Sequence, residues 1–130
     1  MPITFSEIKV GNDYSRNKLA LIWGYKGFHA IARGIVTPQG DNKIVVFITE
    51  EKQSSARQYI DHLHGNTLET EGPDDHFAEE RIANTGSSHE EIHLFHRMRH
   101  HTDFTYKGRM KLLKLEACSE TPSHFKYQVR

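Results

Sequence analysis

A single cysteine in 130 residues, Cys118, excludes an internal disulfide and a cysteine-rich zinc site. An excess charge is lacking too: 17 Lys and Arg stand against 17 Asp and Glu, a formal net charge of zero. That balance excludes a protein that coats nucleic acid by bulk electrostatics, a mode that depends on many cationic contacts to phosphate. No run approaches the about 20 consecutive apolar residues of a membrane span. Met1-Pro2-Ile3-Thr4-Phe5 has neither the basic start nor the apolar stretch of a signal peptide, so a cytoplasmic chain with no membrane partner is expected. Internal repeats, linkers and low-complexity segments are likewise missing. What remains, with 36% hydrophobic residues, suffices for one core, and we expect a single domain over residues 1–130.

Charge is unevenly spread. Residues 61–91 hold nine acidic side chains and one Arg, whereas residues 92–130 hold eight basic side chains and three acidic ones. One part could face a polyanion; equally, the two segments could neutralise each other within the fold.

Local signals give the elements. Ser15 is an N-cap for a helix over Arg16–Ile22, with Leu19, Ile22 and Trp23 at helical spacing and Gly24 as its stop. Ala30–Val36 and Lys43–Thr49, rich in β-formers, flank the turn-forming Thr37-Pro38-Gln39-Gly40-Asp41-Asn42 and predict a hairpin. Gln53–Leu63 suits a polar helix or a structured loop. Leu68–Glu71 reads as a short strand, and Asp74 or Asp75 could cap a helix through Phe77, Arg81 and Ile82 that ends at Asn84-Thr85-Gly86-Ser87-Ser88. Glu91–Arg97 alternates as a strand, with Ile92 and Leu94 on one face and His93, Phe95 and Arg97 on the other. Two further strands, Phe104–Tyr106 and Met110–Ala117, are expected around Lys107-Gly108, and a last one over His124–Val129. The expected fold is α+β: a curled, mostly antiparallel sheet or partly closed barrel of the PUA-like kind, with two or three short helices.

Leu21-Ile22-Trp23-Gly24-Tyr25-Lys26-Gly27-Phe28-His29-Ala30 sets two large aromatics, a Lys and a His beside two glycines. Outside a core, Trp and Tyr rings offer flat faces for bases; the plainer alternative is that Trp23 and Tyr25 anchor the helix to the sheet. The ten histidines invite a metal-dependent nuclease or hydrolase. Yet His93 and His96 point to opposite faces of a strand, as do the adjacent His100 and His101, and no His-Glu-x-x-His or paired-Cys pattern occurs. Ser123-His124 lies on no nucleophile elbow, and Gly24-Tyr25-Lys26-Gly27 is too short and wrongly placed for a phosphate loop. No metal or other cofactor is expected.

Trp23, Phe47-Ile48-Thr49 with Lys52, Tyr59-Ile60-Asp61, Arg81-Ile82, Leu94-Phe95-His96-Arg97 and Phe104-Thr105-Tyr106-x-Gly108 follow one another as in a known family. Over roughly residues 20 to 127 the chain resembles the C-terminal domain of restriction helicases with a phospholipase-D-type nuclease, copies of which are also fused to HNH endonucleases. The resemblance implies a SET-and-RING-associated or PUA-like fold and a specificity domain that reads modified cytosine, 5-methylcytosine or 5-hydroxymethylcytosine, in duplex DNA by base flipping. It implies too that the parent protein carries a covalently fused nuclease; no catalysis is expected of these residues themselves. One departure is Leu68-Glu69-Thr70-Glu71-Gly72, where relatives carry an aromatic in a pattern like Leu-His-Trp. On this basis Trp23, Tyr25 and Tyr59 are the candidates for stacking, Asp61 and Glu71 for accepting from an exocyclic amine, and Arg16, Lys26, Arg33, Arg97, Arg99, His100 and His101 for phosphate. A PUA-like RNA-binding domain is the other binding alternative.

Overall fold

Ser15 opens the helix marked most clearly in the sequence. In the computed structural model, which describes residues 3–51, 61–72, 76–118 and 121–130, its side chain accepts from the Lys18 amide at 3.0 Å and α1 runs over Arg16–Ile22. Leu19 and Ala20 are buried, and Gly24 follows with φ +80°. Among the described residues eight strands form the sheet: β1 (Asp13–Tyr14), β2 (Ile35–Val36), β3 (Lys43–Thr49), β4 (Asp61–His64), β5 (Thr67–Glu71), β6 (Glu91–Arg97), β7 (Phe104–Glu116) and β8 (His124–Val129). The order is β2-β3-β6-β7-β8-β5-β4, with β1 paired to β7. Every pairing is antiparallel except β3 with β6, which run parallel with Ile44 opposite Ile92. The fold is therefore α+β, a curled sheet that does not close. No helix of the described residues is long and apolar enough to cross a membrane.

Two cores lie on the two faces of this sheet. Outside the curl, the N-terminal segment and α1 bring Ile3, Ile8, Leu19 and Trp23 onto Val45, Phe47, Phe95, Phe104 and Tyr106. Inside it, Ile44, Val46 and Ile48 meet Leu68, Ile92, Leu94, Phe125 and Tyr127, with Ile82 of a second short helix, α2 (Glu79–Ala83). β3 and β6 are thus covered on both faces, which is why Ile44–Ile48 is an unbroken apolar run rather than an alternating one.

Three elements differ from the sequence-based expectation. The first arm of the predicted hairpin shrinks to β2, because Phe28–Ile31 instead forms a 3-10 turn that buries Ile31. Lys107-Gly108 is no turn: β7 passes through it unbroken, the register against β6 shifting between Leu94 and Phe95, and Gly108 takes φ +102°. A glycine with positive φ belongs in a bulge as well as in a turn, and here the extra residue bends the strand. α2 begins only at Glu79, after Ala78; Asp74, Asp75 and the segment 52–60 lie outside the described residues, whereas residues 61–63, offered as helix or loop, belong to β4.

The outer core holds a buried imidazole. His93, 3% exposed, stacks on Phe5 with ring centroids 3.8 Å apart. Its Nδ1 lies 2.7 Å from the Tyr106 hydroxyl and its Nε2 2.9 Å from Glu91 Oε1. Burial pushes its pKa below the ordinary imidazole range despite the opposing pull of Glu91. The unfolded chain then takes up a proton that the folded chain refuses, so this part of the stability is present above about pH 6.5 and is lost as pH falls below it. Urea midpoints followed from about pH 7.5 to about pH 5.5 should decline, and His93→Gln should flatten that decline, the other imidazoles being common to both proteins. Identical pH profiles would mean that His93 titrates alike in both states.

Candidate functional site

The two ends of the sheet face each other across a cavity of about 210 Å³. Arg33, Gly34 and Ile35 with Val46, Phe47 and Ile48 line one side, from β2, β3 and the turn before them. β4, β5 and β8 supply Asp61, Thr70, Glu71, Phe125 and Tyr127, and Gly72 follows. A cavity here is a direct result of an open curl, since the missing strand-to-strand seam leaves a slot bounded by both ends.

Polar groups at this slot are few and defined. The Thr70 hydroxyl donates to Asp61 Oδ1 and also lies 3.2 Å from the Glu71 carbonyl oxygen. Phe125 and Tyr127, on one face of β8, stack with centroids 5.8 Å apart and 6° between planes. Tyr127 is 1% exposed, and burial alone drives its ionisation far above the ordinary phenol range. Gly72 lets the chain pass close to this wall, because a Cβ there would lie 2.7 Å from Phe125 Cε2. The arrangement offers acceptors on one side and apolar surface from Ile35, Val46, Ile48 and Phe125.

Beside the slot, Glu50 ties three strands together. Its carboxylate bonds His96 of β6, lies 2.9 Å from Nδ1 of His62 on β4, and accepts from the Leu63 amide at 3.4 Å. These contacts span the gap between β3 and β4 at one end of the slot and hold the Glu50 carboxyl below the usual range, against the opposing effect of its own burial. His62 Nε2 continues to His64 Nδ1 at 3.2 Å. Among the described residues no group of three or more His, Cys, Asp or Glu side chains is arranged to hold a metal ion.

Of the residues singled out in the sequence, the cavity brings together Asp61, Glu71 and Arg33. Tyr25 is half-buried against the outer core and lines an adjoining hollow that shares Arg33 and Ile35 with the cavity. Trp23 is a correction: at 5% exposure, with its Nε1 donating to the Thr4 carbonyl at 2.8 Å and its ring against Phe5 and Phe95, it anchors α1 and presents no open face. Lys26 is exposed in the turn after α1. Arg99 is exposed and pairs with Glu51 at 3.3 Å; His100 is half-buried, and His101 is exposed with φ +65°. Tyr59 lies outside the described residues. Sequence reasoning missed Thr70, on β5, and also Phe125 and Tyr127, whose one signal was the alternation of His124–Val129. Neither the protein-family models nor the curated proteins compared with the chain include a match.

Proposed function

We propose that this chain is a DNA-reading module that accepts a modified cytosine, turned out of duplex DNA, in the slot between the two ends of its sheet. The observation that carries the proposal is the convergence of Asp61 and Glu71 with Phe125 and Tyr127 on one aromatic-walled cavity of about 210 Å³. Its volume suits a single ring, being smaller than the about 300–1,000 Å³ of drug-sized ligand sites. A carboxylate accepts from the exocyclic amine of cytosine. The phenol hydroxyl can donate to the ring's acceptors, and the aliphatic wall gives a methyl or hydroxymethyl substituent apolar contact. Flipping costs a few kcal/mol, which contacts to base and phosphate must offset. The collinear resemblance to readers of modified cytosine supports the same reading.

Labelled duplexes bearing cytosine, 5-methylcytosine or 5-hydroxymethylcytosine at one position, titrated at fixed salt, test it. A modified duplex should bind more tightly, and Asp61→Asn should remove about 1–3 kcal/mol of binding, a factor of about 5 to 150, because the amide places a donor against the amine. Equal affinity for all three duplexes would falsify the reading, and displacement by unrelated RNA at equal concentration would favour an RNA-binding domain instead.

A further inference from the structure

We infer that Arg16 and Arg97 together form a seat for a phosphate group beside the mouth of the slot. Arg16 Cζ lies 4.6 Å from the Phe47 ring centroid and 4.9 Å from that of Phe104, and Arg97 Cζ lies 4.2 Å from the same Phe104 centroid. Two guanidinium groups therefore share one aromatic neighbour. Each is fixed by neutral acceptors. Arg16 donates from Nε to the Ile31 carbonyl at 3.1 Å and from Nη2 to that of Arg33 at 3.5 Å. Arg97 donates from Nε to Thr49 Oγ1 at 2.8 Å and from Nη1 to the Thr102 carbonyl at 3.0 Å.

Neither is matched by a carboxylate among the described residues, in contrast to other cations of the chain. Arg81 pairs with Glu90 at 2.6 Å, Lys43 with Asp41 at 3.2 Å and Lys114 with Glu116 at 2.9 Å. Burial and the neighbouring Arg97 charge lower the Arg16 pKa to about 10, so the pair is held together against its own repulsion. An anion between the two relieves that repulsion. Arg16 Nη1 and Arg97 Nη2 make no hydrogen bond among the described residues, and guanidinium N–H groups are the donors suited to phosphate. Arg33, whose carbonyl accepts from Arg16, also lines the cavity. The inference rests on the base-reading proposal only for its source of phosphate, the phosphodiester flanking the flipped base; a free phosphate ion has the same chemistry.

Side-chain Nε–Hε resonances of the arginines, followed by NMR on the whole chain, test the seat with two probes, inorganic phosphate and an unmodified duplex. Joint, saturable shifts of Arg16 and Arg97 with either probe support it. Shifts with the duplex at much lower concentration identify the phosphodiester as the source, and shifts with phosphate alone identify the free ion. No shift with either probe overturns it. For a duplex source, Arg97→Gln, whose amide nitrogen takes the place of Nε against Thr49, should weaken modified and unmodified duplexes alike and reduce the salt slope by about one unit. Asp61→Asn should leave the slope unchanged. Equal binding of all three duplexes with responsive arginines defeats the base-reading proposal and leaves the seat standing; a preference for modified duplex with silent arginines and an unchanged slope does the reverse.

Discussion

Trp23→Ala is expected to cost about 3–5 kcal/mol of folding stability, a large share of the about 5–15 kcal/mol typical of a domain. The indole joins α1 to the outer core: it is 5% exposed, tilted on Phe5 at 5.6 Å and edge-on to Phe95 at 6.1 Å. Its truncation leaves a cavity and takes away the bond that the Thr4 carbonyl accepts. The denaturant midpoint should fall with an unchanged m-value. Duplex affinity measured well below the lowered melting temperature should stay within about twofold, because the ring meets no part of the slot. A variant that melts like the parent but loses DNA would place the indole at the DNA surface instead.

Tyr127 separates packing from recognition within one side chain. Tyr127→Ala should lose about 3–5 kcal/mol, since the ring is fully buried and stacked on Phe125. Tyr127→Phe keeps that ring. Thermal stability should fall by no more than about 0.5–1.5 kcal/mol, the net contribution of one hydrogen bond. The same substitution should weaken binding of a modified duplex by about 0.5–1.5 kcal/mol if the hydroxyl bonds the ligand. Stability and binding both unaffected in the Phe variant would leave the hydroxyl without a part in recognition.

How much of this was legible in the sequence varies with the range of the cause. α1 was readable because a Ser cap and a Gly stop act on their own neighbours, and β6 because its alternation is intrinsic to the strand. β7 was misread as two strands because Gly108 carries the same signal in a bulge as in a turn; only the opposing register of β6 distinguishes them. Trp23 was offered both as a stacking face and as an anchor, and burial against Phe5 and Phe95 decided for the anchor. Asp61 and Glu71 came from the chemistry wanted of them, and the cavity does contain both. Phe125 and Tyr127 went unnoticed because alternating apolar residues on a strand announce a core and nothing more. That this core wall also faces a slot follows from the curl of the whole sheet, which no local window of sequence contains.

The strand order has a kinetic consequence as well. β6, β7 and β8 are successive antiparallel partners joined by short connections, whereas β3 must find β6 in parallel across the whole of residues 50–90. Closing the longer loop costs more chain entropy and is slower, so the C-terminal meander should acquire hydrogen-exchange protection during refolding before β3 does. The slot draws its walls from both ends of the strand order and so exists only when the last of these pairings is made. Any base held there is bound by the finished fold alone, and its binding energy adds directly to the barrier against unfolding rather than to the stability of any partly assembled state.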